Sequence, residues 1–288
     1  MKLKPEHKFR IATAILVLLT ALAGLNVRSL FPDKKFHYYS LDVGQGDAAL
    51  VVTPQNVRIL IDGGPGDNIL QKLSQVLGAL NRRIDVVILT HPDADHMEGL
   101  IPVLKRYKVG AVFRTDAQKN TAAFATFENL MRERRVSDAR LYLGDKLTVN
   151  DGTSLTVLWP PAGNLNSKTN ESSIVGLLSY KGYDFLTTGD IGSATERELL
   201  RMIKPEYLES HVLKIPHHGS GYSSNYEFLN LVKPKVAVIS VGAKNLYGHP
   251  NSEVLSRLGA LNSEVFRTDI NGTVEFLIDK HLKVTSEK

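Results

Sequence analysis

A near-continuous apolar run, Ile84–Thr90, has the composition of a strand that is buried on both faces of its sheet. Such a strand needs a further layer of structure on each side. Apolar residues at helical spacing precede the run, over Asp67–Leu80, and follow it, over Met97–Arg106. The chain is therefore expected to fold as a layered α/β or α+β protein.

Further strands and helices are predicted along the rest of the chain. Short runs of β-branched and aromatic residues, bounded by turn residues, predict strands over Phe36–Asp42, Ala48–Thr53, Val57–Ile61, Ala111–Arg114, Leu155–Trp159, Ser173–Tyr180, Asp184–Thr188, His211–Ile215, Val236–Val241, Glu264–Thr268 and Thr273–Ile278. Helical spacing predicts helices over Thr121–Arg135, Ala194–Ile203, Tyr226–Val232 and Glu253–Leu261. No repeat or low-complexity linker separates them, so residues 36–288 are expected to form one domain.

The first 28 residues predict a targeting segment. Lys2–Arg10 form a basic region, Ile11–Thr20 are apolar, and Ala21-Leu22-Ala23 has the small-x-small pattern that precedes a cleaved bond. The apolar stretch is short for a bilayer span of about 20 residues, but Ala21–Val27 would extend it into an uncleaved anchor. Both a signal peptide and a membrane anchor stay open. In either case we expect the chain after a short tether at 29–35 to lie outside the cytoplasm.

Composition excludes several classes of protein. The chain has no cysteine, which excludes a disulfide scaffold, thiol catalysis and a cysteine-based zinc site.

The net charge is +5, but an excess of three positive charges lies in the first 23 residues. The remaining +2 is too small to indicate nucleic acid as a partner. A local phosphate track and ordinary solvated surface stay open for the scattered basic residues Arg82, Arg83, Lys105, Arg106, Lys108 and Arg114.

Two imidazoles and two carboxylates directly follow the apolar strand, in His91-Pro92-Asp93-Ala94-Asp95-His96. Proteins of the α/β class place their sites at the C-terminal ends of strands, and Zn, Mn and Fe accept these ligand types. His91 and Asp93 can face one ion, and Asp95 and His96 a second. A helix N-cap would explain one aspartate but not the two histidines. We therefore predict a metal site in this segment.

Three later segments add residues of the same kind after predicted strands. Two adjacent histidines, His217 and His218, favour a metal ligand over core packing. Asp190 taken alone is better explained as a helix N-cap. His249 taken alone leaves a ligand and a solvated histidine equally open. Asp62, before two glycines, either orients a ligand histidine or forms a turn.

Together these motifs resemble the metallo-β-lactamase-type hydrolase domain of the ComEC/Rec2 competence proteins. The resemblance covers about residues 36–280 and rests on Leu-Asp-Val-Gly-Gln-Gly-Asp, Ile-Asp-Gly-Gly, His-x-Asp-x-Asp-His, Thr-Gly-Asp, Lys-x-Pro-His-His-Gly-Ser and Tyr-Gly-His-Pro, in that order. It implies a four-layer αββα sandwich, which here would follow an N-terminal hydrophobic helix. It also implies a site for two divalent metal ions, Mn or Zn, at one edge of the paired sheets.

The resemblance implies roles for individual residues. The implied metal ligands are His91, Asp93, Asp95, His96, Asp190 and His217, with His218 as a substitute for His217. Asp190 would bridge the two ions. Asn170 lies in an Asn-x-Ser pattern and would contact substrate or a ligand. A carboxylate at Asp93, where many relatives have histidine, suits Mn²⁺ without excluding zinc.

The implied activity is hydrolysis of phosphodiester bonds, with DNA or another phosphodiester as the substrate. Asp95 would act at the metal centre, His249 and Lys214 would bind the scissile phosphate or assist the leaving oxygen, and Ser220 and Asn170 would hydrogen-bond the phosphate. One alternative is an exported hydrolase of a small ester, lactam or lipid head group, which would need a closed apolar pocket. A non-catalytic DNA-binding accessory is a second alternative. The membrane would be a partner through an uncleaved N-terminal segment.

Overall fold

The computed structural model describes residues 33–163 and 169–288. The predicted targeting segment, with its hydrophobic helix and most of the tether, lies outside these residues. Within the described ranges, no helix is both long enough and apolar enough to cross a membrane.

The strands alternate with helices along the chain. They are β1 Phe36–Ser40, β2 Ala49–Val52, β3 Arg58–Ile61, β4 Arg83–Leu89, β5 Lys108–Arg114, β6 Ser137–Arg140, β7 Lys146–Thr148, β8 Ser154–Trp159, β9 Val175–Tyr180, β10 Tyr183–Thr187, β11 Val212–Lys214, β12 Val236–Ile239, β13 Glu264–Arg267, β14 Val274–Ile278 and β15 Leu282–Ser286.

These strands form two mixed sheets. The first has the order β15-β14-β1-β2-β3-β4-β5-β6, and the second has the order β13-β12-β11-β10-β9-β8-β7. Strands β3 to β6 are parallel to one another in the first sheet. Strands β10 to β13 are parallel to one another in the second. In each sheet the C-terminal ends of the parallel strands therefore open at one edge, where loops carry the candidate site.

The helices are α1 Asn68–Leu77, α2 Ala94–Met97, α3 Leu100–Arg106, α4 Ala122–Glu133, α5 Ser193–Met202, α6 Tyr226–Val232, α7 Ser252–Ala260 and α8 Thr268–Asn271. Three of them begin at side-chain caps: Thr121 accepts the backbone N–H of Phe124 for α4, Asn225 that of Phe228 for α6, and Asn251 that of Glu253 for α7. Short 3₁₀ turns lie at Asn170–Ser172, Pro205–Tyr207 and Pro216–Gly219.

Three hydrophobic clusters define four layers. In β4, Ile84, Val87 and Leu89 pack in a cluster with residues of α1, α3 and α4, whereas Ile88 faces the second sheet. A third cluster joins the outer face of the second sheet to α5, α6 and α7. Because successive side chains of a strand point to opposite faces, a strand between two apolar layers has to be apolar throughout. The four-layer αββα architecture expected from the sequence is confirmed.

Three of the four edge strands of the two sheets were not expected from the sequence, whereas the fourth, β13, was predicted. β6, β7 and β15 are mostly exposed and carry charged or polar residues. Each of these strands holds at most two apolar residues, which is too weak a signal for strand prediction. Polar edges of this kind limit pairing with other chains.

Close backbone contacts hold α2, the short helix with Asp95 and His96, in place. The N–H of Gly63 donates to the carbonyl of His96 at 2.7 Å, and the N–H of Gly99 donates to the carbonyl of Gly64 at 2.8 Å. A Cβ on Gly99 would lie 2.0 Å from the carbonyl oxygen of Gly63. Only glycine allows this approach. The single helix predicted over Met97–Arg106 is consequently two helices, which meet at Glu98 and Gly99.

Candidate metal centre

Loops at the C-terminal edge of both sheets bring the predicted residues together. The loop after β4 carries His91, Asp93, Asp95 and His96, the loop after β10 carries Asp190, and the turn after β11 carries His217 and His218. The site is therefore built from both sheets, as parallel strands that end at one edge allow.

Four of these side chains converge. One ligand atom from each of Asp95, His96, Asp190 and His218 lies within 4.8 Å of the others. Asp190 Oδ1 is 3.2 Å from Nε2 of His96, and Asp190 Oδ2 is 3.3 Å from Nε2 of His218. Nε2 of His218 is also 3.2 Å from Asp95 Oδ2. Two imidazoles and two carboxylates around one point form a donor set that suits a divalent transition metal.

Hydrogen bonds fix the orientation of His96. Its Nδ1 is 2.9 Å from Oδ2 of Asp62, which also accepts the hydroxyl of Thr90 at 2.7 Å. The other oxygen of Asp62 accepts the backbone N–H of Thr90 at 2.8 Å. With Nδ1 donating to Asp62, Nε2 presents its lone pair to the cluster. The carboxylate of Asp62 thus has the geometry that orients a ligand histidine.

His218 is held in the same way. Its Nδ1 is 2.9 Å from the carbonyl oxygen of Ser240, so Nε2 faces Asp95 and Asp190. Burial alone would raise the pKa of Asp190, but the imidazoles of His218 and His96 have the larger effect. They lower this pKa well below its usual range. Both imidazoles therefore face an ionised carboxylate.

The structure brings His218, rather than His217, into the four-residue cluster. Both residues have a left-handed backbone, with φ of 50° and 54°, and this turn directs the second imidazole inward. Nε2 of His217 is 3.9 Å from Asp190 Oδ2, and a third of the side chain is exposed. His217 faces a cavity beside the cluster. Sequence alone does not distinguish between two adjacent histidines, because the choice depends on these backbone angles.

His91 and Asp93 lie next to the cluster but differ from each other. The rings of His91 and His96 are 4.1 Å apart. Nδ1 of His91 lies 3.1 Å from the hydroxyl of Thr90 and 3.2 Å from that of Ser173. Its Nε2 is buried and has no hydrogen-bond partner among the described residues. Burial, followed by the charge of His96, lowers the pKa of His91 to about 3, so the ring is neutral at pH 7 and its lone pair is available.

The carboxylate of Asp93 is instead occupied by protein groups. Oδ1 of Asp93 is 2.8 Å from Nζ of Lys119 and accepts the hydroxyl of Thr169 at 2.5 Å. Lys119 was missed in the sequence because it lies outside every motif. Asn170 begins the adjacent 3₁₀ turn and lines the cavity.

Lys214 lies beneath the centre rather than in the cavity. Its side chain is 7% exposed, contacts Asp47, and donates to the carbonyl of Gly189 at 3.0 Å. Nζ is also 3.6 Å from Asp190 Oδ1. Burial alone would raise the pKa of Asp47, but the positive charges of Lys214 and His218 have the larger effect. The pKa of this carboxyl is therefore lowered. The phosphate contact expected of Lys214 is not available at this buried position, and the Asp47–Lys214 pair was not foreseen.

An open cavity of about 670 Å³ adjoins the cluster. Asp190, His217, Lys119, Asn170, Glu171 and Tyr222 are among the residues that line it. The ring of His249 lies 5.9 Å from that of His217, at the rim. Ser220, by contrast, is buried, and its hydroxyl accepts the backbone N–H of Tyr222. Ser220 is therefore placed to shape the turn rather than to contact a phosphate.

The scattered basic residues do not surround this cavity. Arg82, Arg83 and Lys108 lie at the N-terminal ends of β4 and β5, roughly 20 Å from the centre at about 3.3 Å per strand residue. Arg114 is buried and paired with Asp138 and Glu128. The exposed positions of Arg82, Arg83 and Lys108 favour the solvated-surface interpretation over a phosphate track, whereas the buried Arg114 fits neither.

Comparisons with known proteins agree with this geometry. The profile of the Metallo-beta-lactamase superfamily matches residues 41–243. ComE operon protein 3 of Bacillus subtilis (strain 168) is 32% identical over 255 residues, which cover 82% of this chain and 32% of that protein. Competence protein ComA of Neisseria gonorrhoeae is 29% identical over 239 residues, which cover 82% of this chain and 31% of that protein. The chain thus spans about a third of the length of these curated relatives.

A solved structure shows the same fold. The metallo-beta-lactamase fold protein YhfI from Bacillus subtilis matches with a TM-score of 0.54 at 12% identity, over 80% of this chain and 95% of that one. At this identity the likeness concerns the fold alone. The profile match extends from the loop after β1 to the loop after β12 and includes every residue of the four-residue cluster. The chain belongs to the metallo-beta-lactamase superfamily of hydrolases, and competence proteins are among its relatives.

Proposed function

We propose that this chain is a metal-dependent phosphodiesterase that cleaves DNA. The observation that carries the proposal is the buried cluster of Asp95, His96, Asp190 and His218, which opens onto a cavity lined mainly by polar residues. Buried ligand atoms that lack a hydrogen-bond partner among the described residues include Nε2 of His91, Nε2 of His96 and Oδ1 of Asp190. Since buried polar atoms are normally satisfied, these atoms fit a bound cation.

The geometry supports two ligand sets. Asp95, His96, Asp190 and His218 would hold one ion, and His91 and Asp93 would hold a second, with Asp190 near both sets. His218 takes the place that the sequence analysis gave to His217. Two imidazoles with carboxylates accept both Mn²⁺ and Zn²⁺, and the carboxylate content favours Mn²⁺.

Bound divalent ions would supply Lewis acidity, which lowers the pKa of a coordinated water and offsets charge on the phosphoryl oxygens. The chain's own residues supply the remaining functions. Asp62 and the carbonyl of Ser240 keep Nε2 of both ligand histidines turned toward the ions. At the rim, burial lowers the pKa of both His217 and His249. These rings are therefore neutral at pH 7 and able to hydrogen-bond the phosphate or accept a proton.

Nucleic acid is supported as the substrate by the rim of the cavity and by the relatives. Tyr222 lines the cavity and is 86% exposed. Tyr247, 71% exposed, stacks on His249 at 5.8 Å. Exposed aromatic rings beside a hydrolytic centre suit stacking on bases. Two relatives carry names that refer to competence and recombination, processes that handle DNA. A small apolar ester or lactam would instead require an apolar enclosure, and this cavity is open.

We also propose that the domain acts outside the cytoplasm. The support is the basic, apolar and small-x-small sequence of residues 2–23. An alkaline phosphatase fusion after Phe36 tests it, since this enzyme is active only after export. An intact but inactive fusion would contradict export.

The activity itself is tested with purified protein stripped of metal and reloaded with Mn²⁺ or Zn²⁺. Single-stranded DNA, double-stranded DNA, bis-p-nitrophenyl phosphate and nitrocefin are the substrates. We expect Mn²⁺-dependent cleavage of the diesters, little nitrocefin turnover, and loss of activity in Asp95→Ala. Asp145→Ala, an aspartate of the loop before β7, is the control. Rapid nitrocefin hydrolysis without diester cleavage under either metal would refute the proposal.

A further inference from the structure

The two ligand sets of the proposed metal centre are not equivalent. The first set places four ligand atoms around one point, and His96, Asp190 and His218 are almost fully buried. In the second set, His91 is buried with a free nitrogen. Asp93, by contrast, is already neutralised by Lys119 and receives a hydrogen bond from Thr169.

We propose that Lys119 competes with the second metal ion for Asp93, so that the two ions bind with unequal affinity. This inference rests on the proposed metal centre and goes beyond it. The first ion binds tightly to Asp95, His96, Asp190 and His218. The second ion binds weakly, because it has to displace the ammonium group of Lys119 from the carboxylate of Asp93.

Charge and ligand number both support this order. An ammonium group at 2.8 Å cancels the charge that would attract a cation to Asp93. The second set also has fewer strong ligands, since the groups beside His91 are the neutral hydroxyls of Thr90 and Ser173. Once Asp190 is engaged by the first ion, less of its charge is available to the second.

Lys119 has space to leave Asp93. Its side chain is 36% exposed and lines the same cavity as Asp190 and His217. A displaced ammonium group would therefore point into the cavity, where the carboxylate of Glu171 and a substrate phosphate would be compensating anions. When Lys119 leaves Asp93, the ion pair that is lost is partly exposed rather than buried. Such a pair contributes little free energy, so a metal ion can replace the ammonium group.

The test is stepwise binding of Mn²⁺ and of Zn²⁺ to the metal-stripped full chain, measured by isothermal titration calorimetry. In the unaltered protein we expect two steps whose dissociation constants differ by at least tenfold. Lys119→Met should tighten the second step about tenfold and leave the first within twofold. Lys119→Arg, which keeps the charge, should leave the second step weak.

Lys72→Met is the matched control, because Lys72 forms an ion pair of the same 2.8 Å length with Glu287, away from the centre. It should alter neither step. An unchanged first step shows that each variant is folded. Two equal steps in the unaltered protein, or a second step unaffected by Lys119→Met, would overturn the inference while leaving the metal centre intact. Absence of any tight ion would overturn the metal centre itself.

Discussion

Oδ2 of Asp62 lies 2.9 Å from Nδ1 of His96, and this contact determines which nitrogen of the imidazole faces the cluster. Asp62→Asn keeps the shape but weakens the charge-assisted hydrogen bond and allows the amide to present its N–H group. We expect metal affinity to fall 10- to 100-fold, the range typical of residues that orient metal ligands. Calorimetric titration with Mn²⁺ measures this. Affinity within twofold of the unaltered protein would show that Asp62 is only a turn residue.

The two adjacent histidines give the sharpest comparison. His218→Ala removes a ligand from the buried cluster, so we expect metal content and hydrolysis to be lost together. His217→Ala removes a rim residue, and metal content should stay unchanged while KM or kcat changes. Metal analysis and diester kinetics on both variants measure the difference. Loss of metal in His217→Ala alone would restore the assignment made from the sequence.

The buried pair of Lys214 and Asp47 should contribute to stability rather than to phosphate binding. Lys214→Met leaves the carboxylate of Asp47 buried without its main partner, which costs about 3–5 kcal/mol in the free energy of unfolding. The double variant Lys214→Met/Asp47→Asn should recover part of that loss, because no unpaired charge remains. Urea denaturation measures both. A destabilisation below about 1 kcal/mol would not fit a buried pair.

The buried carboxyl of Glu196 should make the free energy of unfolding depend on pH. Burial raises the pKa of this carboxyl to about 7, although the backbone N–H groups of Asn225 and Ser224 donate to it. The folded chain therefore holds this proton more tightly than the unfolded chain, whose value is about 4.5. The resulting stabilisation is complete below pH 4.5 and is lost as the pH rises through 7.

Glu196→Gln imitates the protonated carboxyl. Relative to the unaltered protein, it should be more stable by about 1 kcal/mol at pH 5 and by about 3 kcal/mol at pH 8. Urea denaturation at pH 5, 6, 7 and 8 gives the difference. A constant difference across this range would contradict the raised pKa.

The exposed tyrosines test the choice of nucleic acid. Tyr222→Ala and Tyr247→Ala should each weaken binding of single-stranded DNA by about 1–3 kcal/mol, the range of base-stacking contributions. Hydrolysis of bis-p-nitrophenyl phosphate should change less than twofold, because the centre is intact. Tyr207→Ala is the control, since Tyr207 is 56% exposed and precedes β11 at the opposite edge of the sheet. Equal effects of all three variants would count against stacking.

The buried elements and the metal motif were predictable because their signal is local. The apolar run of β4 and the His-x-Asp-x-Asp-His segment lie next to each other in the sequence, and the structure keeps them together. The resemblance to competence proteins joined the distant motifs in the right order. Residues whose roles depend on tertiary contacts were not predictable in this way. Lys119 and Ser173 carry no motif signal, Asp47 ends a motif that does not reveal its contact with Lys214, and the left-handed turn at His217 and His218 is not encoded by their side chains.

The proposed metal centre draws its residues from both sheets, and this has a consequence for the unfolded chain. His218 and Asp95 are 123 positions apart in sequence, yet their side chains meet at 3.2 Å. An ion held by both would close a long loop of the chain, as a disulfide cross-link does in other proteins. This chain has no cysteine and therefore no disulfide. A chelator would remove that closure as well as the proposed activity. The ion would then clamp the two halves of the sandwich together.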